Sequence, residues 1–323
     1  MGQRYSFGIA NNILAELAGV RHYDMHVEVD AVIRAADAVA PLAGRLGIEP
    51  PRPALYGMSY CHAATLGCPI VNGPGLLEPG CQPCLKSPAD IDRLREPKDY
   101  LATPLVAQRL ALVEELRRRR ADASDNIGHD YEGPATTAAL MLGPAFFMLP
   151  HDDPKRAHRL MEFVTRTAVN YTRVLRARQG HPFGGRPEGI CDDFAGIFPP
   201  EQFAEFVAPY WEMLYQGLDA TERHLHSELL REGHLKHLAG LKIASYDPSV
   251  DQFLPADVLK RSCPVPYGLR IWPSQVQSLP TEELVDMYRR YARDGTQFIM
   301  FHMHRLQDEP KIVEMLRVAR ELA

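Results

Sequence analysis

Residues 222–248 read ERHLHSELLREGHLKHLAGLKIASYDP, and their order decides the fold. RHLHS (223–227) alternates in polarity like a short strand, LLREGHLKHLAG (229–240) carries helical spacing, and LKIASY (241–246) reads as a second strand. The unit then repeats downstream. Helix PADVLKRS (255–262), strand VPYGLRIW (265–272), helix PTEELVDMYRRYARDG (280–295), strand TQFIMFHM (296–303) and helix DEPKIVEMLRVAREL (308–322) follow in turn. The last strand is apolar enough to be covered on both faces, which points to a parallel sheet. No G-x-G-x-x-G follows a strand, so nothing supports a dinucleotide site. The expected fold is α/β, a (β/α)8 TIM barrel rather than a doubly wound sheet.

Upstream, PPEQFAEFVAPYWEMLYQGL (199–218) is a helix that Pro209 should kink, and GRPEGICDDFAG (185–196) is a strand with its exit. Residues 152–180 form a capped amphipathic helix with a Gly terminus, and residues 104–120 another. Gly133 and Pro134 interrupt GHDYEGPATTAALMLG ahead of a helix. Residues 13–50 read as helices, so the expectation is one domain over 1–323 with residues 1–50 as an N-terminal helical addition. No internal repeat or low-complexity linker divides it.

At 323 residues the chain can bury a large core. A net charge of -5 leaves no basic footprint for nucleic acid, and the arginines at 117–120 are the solvated end of a helix. Nothing approaches a run of about 18 apolar residues, and the first residues lack a signal-peptide layout. These features imply a cytoplasmic protein without a membrane partner. Six cysteines are too few for a disulfide scaffold. Cys81 and Cys84 form a lone C-x-x-C in a Pro/Gly-rich loop with no second pair at zinc-ribbon spacing, and read as free thiols.

The polar residues collect just past the strand ends: Cys191, Asp192 and Asp193; His226 and Glu228; Tyr246 and Asp247; Trp272 and Ser274; His302 and His304. In a barrel these positions share one mouth. If the strand runs through Ser227, alternation sets His224, His226 and Glu228 on one face. Two imidazoles and a carboxylate suit zinc or another borderline divalent ion. Ser227 as a helix cap, with Glu228 in the first turn, accounts for the same residues without a metal.

From about Tyr56 onward the chain resembles the uroporphyrinogen decarboxylase superfamily, and more closely its corrinoid-dependent methyltransferase branch, to which methylcobalamin:coenzyme M methyltransferase belongs. The stretches that carry the likeness are ATLGCPIV, SPADIDRLREP, GPATTAALMLG, DDPKRAHRLMEFVTRTAVNYTRVLRARQG with CDDFAGIFPPEQFAEFVAPYW, and EPKIVEMLRVA. The resemblance implies a TIM barrel with zinc in its mouth, held by an H-x-C motif and a late cysteine. Here H-x-C falls on His226-Ser227-Glu228, and His302 or His304 stands in place of the late cysteine. The implied ligands are His226, Glu228 and one late histidine, with Asp193, Asp247 and Tyr246 as catalytic or orienting groups. Trp272 and Asp192 would line the cofactor side.

The implied activity moves a methyl group between a small ether, thiol or amine and a corrinoid carried by a partner protein. A metal-free decarboxylase and a non-catalytic corrinoid-binding protein are the alternatives. The superfamily's arginine-rich carboxylate-binding motif has no counterpart near Arg21, where the chain reads GVRHYDMH.

Overall fold

The computed structural model describes residues 4–73, 75, 76, 78–128 and 131–323. The first three residues of the expected N-terminal segment, two positions of the loop 72–90, and residues 129 and 130 of the GHDYEGP stretch lie outside the described residues. The described strands are β1 (Arg4–Ile9), β2 (Ile70–Val71), β3 (Gly80–Cys81), β4 (Arg186–Cys191), β5 (Ala220–His226), β6 (Ile243–Asp247), β7 (Gly268–Arg270) and β8 (Phe298–Met303). They fall into two compact units, each assembled from separate pieces of chain. The class is α/β with parallel strands.

The first unit comprises Met1–Tyr56, Leu112–Asn126 and Pro266–Ala323. Its sheet is parallel in the order β1-β8-β7. Along β8, Ile299, Phe301 and Met303 are fully buried among Tyr288, Ile312, Met315 and Leu316 of the helices Thr281–Arg293 and Glu309–Leu322. The alternate residues, His302 among them, point to the other face.

β1 corrects the expectation that residues 1–50 are a helical addition. RYSFGI is a strand that pairs in parallel with the last strand, from Arg4 against Phe298 to Ile9 against Met303. Tyr5, Phe7 and Ile9 share one face and pack on the buried cluster. Helices Asn11–Ala18, Asp24–Val27 and Val29–Leu46 follow it.

The second unit comprises Gly57–Ala111 and Ile127–Val265. Its main sheet is parallel in the order β4-β5-β6, and β2 and β3 form a short antiparallel pair. One face meets helices Pro154–Gln179 and Ala208–Gly217 through Ile190, Leu225 and Tyr246. Two charged pairs lie on that helix-facing side. Arg176 grips Glu188 in a buried bidentate contact at 2.6 and 2.8 Å, and Arg223 reaches Glu212 at 2.9 Å. The other face carries Cys191, His226 and Asp247, aligned in register across the three strands.

The long helix expected at 199–218 is two, Pro200–Phe206 and Ala208–Gly217, because Pro209 lies in the first turn of the second. The helix expected at 229–240 shrinks to Glu232–Leu235 and the short turn Ala239–Leu241. Leu229 and Lys242, at φ 62° and 55°, are left-handed and bracket it. No helix among the described residues is long and apolar enough to cross a membrane.

Two stability outcomes follow from this unit. Arg176→Met leaves buried Glu188 with only the 3.8 Å contact to Arg186 and should cost about 3–5 kcal/mol, while adding Glu188→Met should restore most of that. Urea unfolding of both variants checks it; equal losses in single and double variants would contradict it.

His62 is fully buried. Its Nε2 lies 3.1 Å from Thr167 Oγ1, whose own proton goes to Phe163 O at 2.9 Å, so Nε2–H is the donor and the neutral ring is held. Burial pushes its pKa down to about 3. The folded value lies below the unfolded one, near 6.5. Its stability is therefore present above pH 6.5 or so and drains as the pH falls toward 3. Between pH 7 and 5 the wild type should lose ~2 kcal/mol more than His62→Gln; parallel urea midpoints for the two would rule this out.

Candidate active site

Lateral hydrogen bonds tie the strand ends of the second unit together. Gly133 N donates to Cys191 O at 2.6 Å, Asp192 N to His226 O at 3.0 Å, and Ser227 N to Asp247 O at 3.2 Å. Tyr131 also donates its hydroxyl to Gly189 O at 3.1 Å. Residues 131–133 thus run beside β4 and bring Glu132 to the row of strand ends.

Asp192 locks this row from behind. Its side chain is fully buried and accepts from Ala135 N at 3.1 Å, Thr136 N at 2.7 Å and Trp211 Nε1 at 2.7 Å. It thereby satisfies first-turn amides of helix Pro134–Leu142. Burial raises its pKa to about 6 against the lowering effect of those bonds. Gly133 is required by the closeness of this contact, since a Cβ there would lie 2.3 Å from Asp192 Cβ. Ser227 donates to Asp192 O at 2.8 Å and caps no helix.

His226 stands at the centre. Its Nδ1 donates to Asp247 Oδ2 at 3.0 Å, and its Nε2 lies 3.3 Å from Asp193 Oδ1. Burial works against the imidazolium, but hydrogen bonds to Asp193 and Asp247 outweigh it and lift the pKa to about 9. The Cys191 thiol sits 3.8 Å from an Asp193 carboxylate oxygen. Burial first, then the charges of Glu132, Asp193 and Asp192, push the thiol well up. Glu132 is raised to about 7, by burial and then by Asp193. Its buried Oε2 has no hydrogen-bond partner. Donor atoms of Cys191, Asp193 and His226 all lie within 4.8 Å of one another, and among the described residues this is the only such group of three or more.

The structure thus brings together His226, Asp193 and Asp247 from the residues singled out in the sequence, and adds Cys191 and Glu132. Cys191 was noticed there only as a strand-end neighbour of two aspartates. Glu132 was missed; its signal was a carboxylate directly ahead of a Gly-Pro helix start. Glu228 does not join the group, because β5 ends at His226 and the period-two alternation stops before residue 228.

Two assigned roles are corrected. Tyr246 is fully buried on the helix-facing side and donates its hydroxyl to Ser227 O at 3.1 Å, so it holds the strand end rather than acting as a catalytic group. Asp192, expected on the cofactor side, is the buried cap just described. His302, His304 and Trp272 belong to the first unit. The two imidazole rings of β8 and its exit are 6.1 Å apart, and Gly8 leaves room for one of them, since a Cβ there would come within 2.7 Å of His302 Cδ2. Trp272 precedes helix Pro273–Ser278, with its N–H donating to Gln275 Oε1 at 2.8 Å.

A model of the uroporphyrinogen decarboxylase (URO-D) family matches residues 56–263, well over half of the chain, and the chain belongs to that family. The match spans Glu132, Cys191, Asp193, His226 and Asp247. No curated protein matches the chain. Among 19 solved chains that do, a methyltransferase from Methanosarcina mazei superposes with a TM-score of 0.70 at 14% identity, over 99% of this chain and 94% of that one. At that identity the likeness is one of fold.

Asp192→Ala should destabilise the protein by about 3 kcal/mol or more, since it strands three buried donors. Gly133→Ala should do comparable damage by forcing the cap apart. Thermal unfolding reads both; a loss under about 1 kcal/mol in Asp192→Ala would show that the cap is dispensable.

Proposed function

We propose that this chain is a methyltransferase on a (β/α)8 barrel that moves a methyl group between a small ether, thiol or amine and a corrinoid carried by a partner protein, using zinc held by Cys191, Asp193 and His226. The observation that carries the reading is the convergence of one thiol, one carboxylate and one imidazole at adjacent ends of parallel strands. Three mixed protein donors make a set suited to catalytic zinc, which takes three protein ligands and a further one from solvent or substrate. A second feature fits as well. Nδ1 of His226 is held by Asp247, which leaves Nε2 facing Cys191 and Asp193, and an acid behind a metal-binding imidazole fixes its tautomer and orientation. The family, and a solved methyltransferase of the same fold, support the reaction class.

Bound zinc would supply Lewis acidity to the methyl donor's heteroatom. The remaining chemistry lies with this chain's own residues. Glu132, with a pKa near 7, is suited to give a proton to the departing heteroatom and to recover it in the reverse direction. Cys191, whose thiol is disfavoured as an anion by burial and then by its acid neighbours, must lose its proton when the ion enters, so loading should release protons. Phe194 and Ile197, on the turn Asp193–Ile197, expose apolar surface next to this end of the sheet. That rim suits the docking of a corrinoid protein.

The decarboxylase reading draws on the family's description. Its substrate carries several carboxylates and needs cations to hold them. This strand-end row presents Glu132, Asp193 and Asp247, which repel such a ligand.

Purified protein should contain about one zinc per chain, lost in Cys191→Ser and His226→Ala and kept in Glu228→Ala. Glu132→Gln should keep the metal and slow methyl transfer to cob(I)alamin by about 10²-fold. Elemental analysis with cob(I)alamin methylation monitored by absorbance checks both. Metal lost from Glu228→Ala and retained in Cys191→Ser would overturn the ligand set, and full activity of metal-free protein would overturn the mechanism.

A further inference from the structure

The C-x-x-C of Cys81 and Cys84 has a third partner that sequence spacing hides. Cys68, thirteen residues ahead of Cys81 and almost fully buried, lies with its Sγ 3.6 Å from Cys84 Sγ. Cys81 is close enough to raise the pKa of the Cys68 thiol together with Cys84. Cys81 and Cys84 are both partly exposed. The pairing of β2 with β3, Ile70 against Cys81, brings the two segments together. Helix Pro134–Leu142 anchors them, because Cys84 N and Leu85 N both donate to Met141 O, at 3.1 and 2.9 Å.

The three thiols do not converge on a point as metal ligands do; among the described residues only Cys191, Asp193 and His226 satisfy that condition. Instead the buried Cys68 thiol lies against Cys84, with Cys81 of the same C-x-x-C nearby and both of these partly exposed. That layout suits exchange between neighbouring sulfurs.

We propose that Cys68, Cys81 and Cys84 form a reversible thiol–disulfide site in which buried Cys68 closes a disulfide onto Cys84 or Cys81. The oxidant is a low-molecular-weight disulfide of the glutathione type. The Cys84 thiolate attacks one sulfur of that disulfide, expelling one thiol and leaving a mixed disulfide. Cys68, handing its proton to the departing sulfur, then attacks the Cys84 sulfur and expels the second thiol. One S–S bond is broken and one formed, the two protein thiols are oxidised, and the small disulfide is reduced to two thiols. Attack by Cys81 on the Cys68 sulfur moves the bond to Cys68–Cys81 and frees Cys84. A disulfide of this kind in a reducing compartment serves as a redox-responsive element rather than a scaffold. Here it would bear on the C-terminal end of the helix whose first turn Asp192 caps.

The test equilibrates the reduced full-length protein with oxidised glutathione, alkylates the remaining thiols and maps the digest by mass spectrometry. The wild type should lose two hydrogens per chain, yield a peptide linking Cys68 to Cys84 or Cys81, and revert with dithiothreitol. Cys68→Ser should instead retain glutathione on Cys84 or Cys81, and Cys263→Ser should behave as the wild type. If Cys68→Ser does not fold, Cys84→Ser takes its place and should move the link to Cys68–Cys81. A link confined to Cys81–Cys84, glutathione retained by the wild type, or three unmodified thiols at the most oxidising ratio would each overturn the proposal.

Discussion

The buried carboxylate of Asp192 is the contact on which the site depends. It joins three elements that are distant in sequence: the end of β4, the first turn of helix Pro134–Leu142 and Trp211 of helix Ala208–Gly217. A charge in a dry interior is tolerated only when donors surround it, and here two adjacent helix amides and an indole N–H supply them. That geometry fixes where Asp193 leaves the strand and how closely Glu132 can approach Cys191. Gly133 belongs to the same constraint, since no side chain fits between residue 133 and the cap.

The acids of the site do different work because their surroundings differ. Asp192 meets backbone and indole N–H groups and is spent on architecture. Asp247 holds one nitrogen of His226, and Asp193 faces the other beside a thiol. Glu132 lacks a partner for one buried oxygen and is held near neutrality, the property of a group that exchanges protons. A thiol, an imidazole and a carboxylate together form a donor set of intermediate softness. It is less electron-rich than a pair of thiolates and less hard than two imidazoles with a carboxylate.

Much of this was legible in the chain. The strand–helix units at the C-terminal end, the break at Pro209, and the concentration of titratable residues after β4, β5 and β6 all follow from local periodicity and turn chemistry. What escaped depends on where an element stops or what lies across from it. RYSFGI carries a period-two apolar face, yet its partner is almost three hundred residues away. Glu228 was assigned by extending an alternation two residues beyond the end of β5, where Leu229 turns left-handed. Tyr246 and Asp247 are neighbours in sequence, but the same alternation sends one into the helix layer and the other to the site. Glu132 and Cys68 owe their roles to partners that no local pattern reveals.

The central claim is that a cysteine, Cys191, shares a metal with His226 and Asp193. Zinc K-edge X-ray absorption on the purified protein tests it most directly, because sulfur and light-atom scatterers separate by distance. The account predicts one sulfur at about 2.3 Å together with nitrogen or oxygen neighbours at about 2.0–2.2 Å. A first shell of nitrogen and oxygen alone in the wild type would contradict it.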